Sequence, residues 1–471
     1  VIIPAVIREL EIHLNKKSRN DRAKQIRNNV KRRNARFDDK SKLMLKLVIN
    51  SLMRRHRAME EITVVEGEKG RAYSEEEVGA VVKKFYEEWM RSRVDVTDRF
   101  ESWDAMIKLD TSALKDPKHK PFIEQTYSKS RNKYAAMQEE QGIWDAVRDR
   151  TDLREIKEAL KTMKKGTAPG PSGVTYDTLG YLRDEHLMPL VNIVNDSISG
   201  KPIKQEMNRA LLRPLAKTDQ GLADLGKTRP ISLMEAMLKL TERVIFTRVM
   251  KALKEHNMLR CEQHGSLQSR SAKAPIRALA ESIEDALMTG KELHILSADI
   301  SKAFDSIEYW SQAIGWSALG MPADMIETLV DMDRDAETAV IMGQGRTTDW
   351  YKHGRGVRQG SIGGPIKWVV FMNFWLEYVY TVAEGRGYTM SEAEEGDAET
   401  LGQMFVDDSN WFSADSQGMS LLVELGEDFA DFHGLTFNKQ KCEYMVINQS
   451  LTNEQGYQCP ISAQHGGMAR G

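Results

Sequence analysis

The sequence predicts an α+β fold, helical in its leading third and alternating between helical and strand-like segments to about residue 450. Three observations predict it. Helix-start signals followed by apolar residues at helical spacing recur before residue 165. The Pro/Gly-rich loop KKGTAPGPSG then interrupts the helical pattern. Beyond it, two short apolar runs, one around Leu293–Leu296 and one ending at Phe405–Val406, each lead into acidic residues. At 471 residues the chain exceeds a usual single domain, so roughly two to four domains or subdomains are expected.

Residues 1–60 read as helical and basic. Val1 to Arg57 carries 17 Lys and Arg against 5 Asp and Glu, whereas the net charge of the whole chain is −2. A basic arm on an otherwise acidic body points to a polyanion partner, most simply nucleic acid. KRRN at 31–34 adds a weak nuclear-targeting pattern. After a polar break at 61–70, SEEEVGAVVKKFYEEWMRS opens with Ser74 and acids in its first turn, a helix start. Residues 100–150 read as helical in pieces. TDLREIKEALKTM is a helix with Thr151 as its cap and Leu153, Ile156, Leu160 and Met163 on one face. PIKWVVFMNFWLEYVYTVAEG is the most apolar stretch, but Lys367, Asn373 and Glu377 within it argue for a buried helix and against a membrane span. SEAEEGDAET at 391–400 reads as an exposed acidic loop, and the last twenty residues as a loose tail.

Three cysteines, Cys261, Cys442 and Cys459, are too few and scattered for a disulfide framework, so a reducing compartment fits. Cys459 and His465 lack the second pair that a metal site needs. No signal peptide is visible. The start at Val1 and the GGMARG ending suggest a piece of a longer polypeptide.

The two acidic stretches carry the chemistry. In LGQMFVDDSNWFSAD, Asp407 and Asp408 stand side by side between apolar groups. Alone they could be the tip of an exposed hairpin. In LHILSADISKAFDSIEYW, a strand-like run ends on Asp299 and a helix can start between Ser301 and Trp310. If these stretches are neighbouring strands, three carboxylates converge. Such a set, without His or Cys, selects hard cations such as Mg²⁺. A pair of these ions can clamp the attacking and leaving oxygens of a phosphoryl displacement, which predicts nucleotidyl transfer.

These stretches, with RGVRQGSIGGP between them, resemble the palm motifs of reverse transcriptases. The chain looks most like the polymerase of a LINE-type (non-LTR) retrotransposon over about residues 61–450. The landmarks run in the family's order: GTAPGPSGVTYDTL, LLRPLAKTDQGLADLGKTRPISLMEAMLKLTERVI, EQHGSLQSRSA, SADISKAFDSI, GVRQGSIGGP, FVDD and GLTFNKQKCEYM. The resemblance implies a right-hand polymerase fold of fingers and palm with a mostly helical N-terminal extension, and a thumb is not evident. It divides the chain into a basic arm (1–60), a helical extension (61–150), fingers (151–290), palm (291–450) and tail (451–471).

It further implies RNA-directed DNA polymerase activity, in which an RNA template directs dNTP addition to a DNA primer or target, with no membrane partner. Asp299, Asp407 and Asp408 would hold two Mg²⁺ ions, with Mn²⁺ as a substitute. Phe304 would be the aromatic that excludes a 2′-hydroxyl, while Asp305 would cap or pair locally, outside the metal site. Arg358 and Gln359 would approach nucleotide and template, and Gly360 would let the backbone come close. Lys217 and Arg229 would grip the triphosphate. Lys441 would neutralise or protonate the leaving pyrophosphate. Gly364–Pro365 stands where the family has Ser-Pro, and Ser172 where it usually has Asp; the Ser172 loop either binds template or only makes a turn, and the turn is the favoured reading. The implied setting is intracellular, in nucleus and cytoplasm. The other readings are a group II intron-type maturase, an RNA-directed RNA polymerase, against which Phe304 and Arg229–Pro230 argue, and a truncated copy that only binds nucleic acid.

Overall fold

Ser74 starts the first long helix as its sequence signal predicts. In the computed structural model its hydroxyl accepts from Glu77 N while the Glu77 carboxylate accepts from Ser74 N, a closed capping box. The structure describes residues 62–448, apart from 63–64, 68–69, 73, 218–221, 223, 267–269, 344 and 392–398. The basic arm with its KRRN, most of the acidic stretch at 391–400, Cys459 with His465, and the tail lie outside the described residues. The chain divides into two units, Val1–Glu61 and Ile62–Gly471.

Helix α1 (Glu75–Trp89) buries Val78, Val82, Tyr86 and Trp89, one stripe at helical spacing. Short helices follow through residue 148. Helix α2 (Leu153–Thr162) is where predicted, but its cap is Asp152 and not Thr151. The Asp152 carboxylate accepts from Glu155 N at 2.8 Å, while the Thr151 hydroxyl donates to the Glu155 carboxylate. Asp is the better cap, and here the extended residue is 152. The GTAPGPSG loop after it is a turn. Ser172 donates from its N–H and its hydroxyl to Glu235.

Past α3 (Asp184–Ile198) come two sheets. The first pairs β1 (Arg209–Ala216) with β2 (Thr228–Met234) as an antiparallel hairpin, and β1 lies parallel to β4 (Glu337–Gly343). Helix α4 (Ala236–Glu255) follows β2, and α5 (Lys273–Thr289) leads to the second sheet. That sheet is antiparallel, in the order β7 (Glu443–Ile447), β3 (Leu293–Ala298), β6 (Asp408–Ser413), β5 (Gly402–Phe405). β3 comes first of the four along the chain yet sits inside the sheet, so its end is flanked on both sides.

The predicted helix from Ser301 is interrupted. It forms as α6 (Ala303–Ser306) and α7 (Tyr309–Ala318), with Ile307 extended between them. Glu308 causes the break: its carboxylate accepts from Ser92 Oγ, Arg93 N and Val94 N. Helix α8 (Gly364–Val382) is buried nearly all round, and α9 (Ser416–His433) packs beside it. The polar residues of α8 serve the core: buried Lys367 pairs with buried Asp333, and Asn373 Oδ1 accepts from Arg260 N. Among the described residues no helix is long and apolar enough to cross a membrane. The main core gathers Trp144, Trp316, Trp368, Trp375, Trp411 and Phe432 under the second sheet.

Candidate active site

β3 ends at Ala298 and delivers Asp299 to its rim. Next to it, β5 and β6 form a hairpin in which Phe405 pairs with Asp408, so Val406 and Asp407 are the two-residue loop. Ser409 lies opposite Ala298, the last pair of this register, and Asp408 and Asp299 are the residues next to it on the two chains. The three acids singled out in the sequence therefore meet on adjacent strand ends. Lys441 joins them, its Nζ 3.3 Å from Asp299 Oδ2. The loop bearing it is strapped to β3 by Asn438 N to Asp299 O at 2.7 Å and Ser301 N to Thr436 O at 2.8 Å. Lys439 makes no such contact with the acids, which separates the two lysines that sequence alone leaves equivalent.

Burial raises the pKa of Asp407 above the ordinary carboxylate value. The charges of Asp408 and Asp299 raise it further, and Lys441 partly offsets them. This is the electrostatic state of a site short of positive charge. An all-carboxylate donor set with excess negative potential fits hard divalent cations. Among the described residues no three His, Cys, Asp or Glu side chains already converge on one ion position. Lys441 occupies one side of Asp299.

The hairpin turn is strained. Val406 has φ +64°, a conformation that β-branched residues rarely adopt. Three neighbours hold it there. Gln263 Oε1 accepts from Val406 N at 3.3 Å, Trp368 Nε1 donates to Val406 O at 3.0 Å, and Gly265 packs so closely that a Cβ would lie 2.3 Å from Val406 N. Phe304, half-buried, stacks on the same Trp368 with ring centroids 5.6 Å apart. Through that indole the aromatic of the resemblance sits against the hairpin that carries Asp407.

Arg358 is not placed to touch a nucleotide, contrary to the expectation. It is buried, and its guanidinium donates to Asn208 O, Asn208 Oδ1 and Met332 O, with Asp333 3.5 Å from Nε. Its role in the structure is to tie the loop down. Gln359 keeps a half-buried place beside α6 and gives its Nε2 to both oxygens of Asp305 at 3.0 Å. Gly360 does allow a close approach, at φ +139°, but of Ser232: a Cβ there would meet Ser232 O at 2.4 Å. Where the family's Ser-Pro is replaced, Ser361 supplies the hydroxyl, accepting from Gly364 N and donating to buried Glu242.

Lys217 and Arg229 are exposed on the β1–β2 hairpin. Arg229 faces Leu215 across the ladder, and Lys217 follows two positions on, so strand alternation puts them on one side. Lys217 lies close enough to Lys302 and Asp305 for its charge to act on both, which turns this end of the hairpin toward α6. Sequence reasoning missed Trp89, Gln263, Lys302 and Trp368. Trp368 carried a faint signal as a polar-capable aromatic at the start of a buried helix. Gln263 and Lys302 lie within the landmark stretches, but their contacts, like those of Trp89, are with partners far away in the chain.

The profile of the family described as Reverse transcriptase (RNA-dependent DNA polymerase) matches residues 215–460. Among curated proteins, the chain is 27% identical over 297 residues to the "Retrovirus-related Pol polyprotein from type-1 retrotransposable element R2" of Nasonia vitripennis, covering 62% of this chain and 27% of that protein. It is 23% identical over 300 residues to the "Retrovirus-related Pol polyprotein from type-2 retrotransposable element R2DM" of Drosophila melanogaster, covering 64% and 26%. It is 22% identical over 223 residues to the "RNA-directed DNA polymerase from mobile element jockey" of Drosophila funebris, covering 47% and 24%. The chain thus spans about a quarter of the length of these relatives.

Proposed function

Since the chain belongs to the reverse transcriptase (RNA-dependent DNA polymerase) family, we propose that it is the polymerase part of a non-LTR retrotransposon protein, copying RNA into DNA. The observation that carries this reading is the meeting of Asp299, Asp407, Asp408 and Lys441 at adjacent strand ends. In this reading the β7–β3–β6–β5 sheet is the palm of a right-hand fold and the β1–β2 hairpin belongs to the fingers. Asp299, Asp407 and Asp408 would hold two Mg²⁺ ions, with Mn²⁺ as a substitute. When bound, such ions polarise the primer 3′-hydroxyl and stabilise charge on the leaving oxygen.

The chain's own residues do the rest. Lys441, exposed yet tied to Asp299, would give a proton to departing pyrophosphate. Lys217 and Arg229 meet the triphosphate of a dNTP with a point charge and a planar fork. Phe304, braced by Trp368, would face the sugar of the incoming nucleotide and crowd a 2′-hydroxyl. Template RNA and primer DNA pass over this rim, and their phosphates meet basic side chains outside it. The test is primer extension on an RNA template with Mg²⁺ and four dNTPs. The parent chain extends the primer and Asp407→Ala does not; equal extension by both would sink the metal-site reading.

A further inference from the structure

The end of α1 reaches every element that carries a nucleotide candidate. Tyr86 Oη is 2.7 Å from Thr228 Oγ1, on β2 immediately before Arg229. Trp89 Nε1 donates to Asp305 Oδ2 at 3.2 Å, on α6 beside Phe304. Trp89 O accepts from Arg355 Nη2 at 3.1 Å, and Met90 O accepts from Gly354 N and Arg355 N, in the loop that leads to Gln359. The indole ring does one thing more: Lys302 Nζ rests 3.3 Å from its centroid.

We propose that Trp89, from the helical segment that precedes the matched family region, is a positioning residue for the incoming nucleotide. It acts through two hands. Its N–H fixes the Asp305 carboxylate, which in turn holds the Gln359 amide. Its ring holds the Lys302 ammonium, three residues beyond Asp299 and within reach of the charge of Lys217. Lys302 stands at φ +53°, a conformation that a lysine does not adopt without support. The role rests on the polymerase reading above, because it needs the triphosphate of a dNTP to arrive at this rim.

Two features argue for more than packing. First, the cations Lys302, Lys217, Arg93 and Arg355 are gathered here, and burial with their mutual repulsion brings Lys302 down to about 8. Arg355 is buried with Nε and Nη1 lacking hydrogen-bond partners. Glu308 and Asp305 offset the charge of buried Arg355, while the exposed Lys217 and Lys302 present positive charge that suits a polyphosphate. Second, Asp305 is buried and pushed up to about 6, and the hydrogen bonds from Gln359 and Trp89 pull against that rise. The charged and titratable groups facing Asp305 are Lys302 on its own helix, Lys217 from the hairpin, Arg355 from the loop, Tyr86 on α1 and Tyr351. Removing the indole N–H lets the Asp305 pKa rise, so the acid limb of a pH profile moves toward neutrality.

The experiment measures single-nucleotide incorporation on an RNA template by the full chain and by Trp89→Phe, Trp89→Leu, Asp305→Asn and Lys302→Met. Trp89→Phe keeps a ring for Lys302 and loses the N–H. It is expected to raise the KM for dNTP roughly tenfold, the worth of a hydrogen bond to a charged group. kcat and primer–template affinity stay at the parent's values, and the acid limb of 1/KM shifts upward. In the Asp305→Asn background the same substitution has no further effect on KM. An unchanged KM and acid limb in Trp89→Phe overturn the proposal, whether or not Trp89→Leu folds. A parent chain that incorporates nothing would instead overturn the polymerase reading. In that event, binding of inorganic tripolyphosphate, read by thermal shift, decides on Trp89: weaker binding in Trp89→Phe and Lys302→Met supports it, and equal binding overturns it.

Discussion

At Asp407 folding and chemistry pull in opposite directions. Its pKa is raised by burial and by Asp408 and Asp299, so the folded chain holds that proton more tightly than the unfolded chain does. The stabilising contribution is full below the ordinary value of 3.8 and is lost as pH rises through the raised one. Above the raised value the ionised side chain therefore destabilises the fold. Asp407→Asn should raise the melting temperature in EDTA at neutral pH, with the gain vanishing in acid. Mg²⁺ should raise the melting temperature of the parent and not of the variant. Primer extension by the variant falls by roughly 10²-fold or more. A lower melting temperature in EDTA would contradict this account. Phe304 gives a second test at this scale. Phe304→Ala removes the ring stacked on Trp368 and should reduce discrimination against ribonucleotides by roughly 10- to 200-fold, measured as the ratio of kcat/KM values. The acids were legible in the sequence because carboxylates at the ends of apolar runs need an explanation. Arg358 was not, since an arginine in GVRQG reads the same whether it faces a substrate or the carbonyl of Met332.

The β5–β6 hairpin shows what an element adds. Its two acids between apolar groups are visible in FVDD, but the strain at Val406 is not, nor are the three neighbours that hold it. Gly265 is the most exacting of them. A methyl group there would sit 2.3 Å from Val406 N and 2.4 Å from its Cγ2, so either the loop at 265 or the hairpin must move. Gly265→Ala should lower kcat by roughly 10²-fold, because displacing reacting groups by about 1 Å is worth that much. The global melting temperature should change little, since the turn lies at the rim. Incorporation kinetics with a parallel thermal melt check both parts, and parent-like kcat would show that the turn tolerates the shift. Helix starts were read more readily. The capping box at Ser74 is local and complete within four residues. The break between α6 and α7 was not legible, because the donors to Glu308 lie at Ser92, Arg93 and Val94, some two hundred residues earlier.

Across the whole molecule, local pattern and long-range wiring separate in the same way. The mixed helix-and-sheet class and the buried nature of α8 follow from periodicity and composition, which act over a dozen residues. The joining of the α1 end to β2, α6 and the Arg355 loop does not, since it depends on pairs that only the folded chain brings together. Charge distribution is the remaining whole-chain property that sequence states directly. Seventeen Lys and Arg between Val1 and Arg57, against 5 acids, give this segment a positive excess that the acidic remainder lacks. Each phosphate neutralised contributes about 0.7 to the slope of log K against log salt for single strands and about 0.9 for duplex. Removing residues 1–57 should therefore lower that slope for RNA by about 2 or more, the equivalent of roughly three phosphate contacts. The affinity lost should be similar for unrelated RNA sequences, because phosphates carry no sequence information. RNA binding measured over a range of salt concentrations, with and without the arm, tests this. An unchanged slope would place the phosphate contacts on the body of the chain, and a loss confined to one RNA would mean that the arm reads bases.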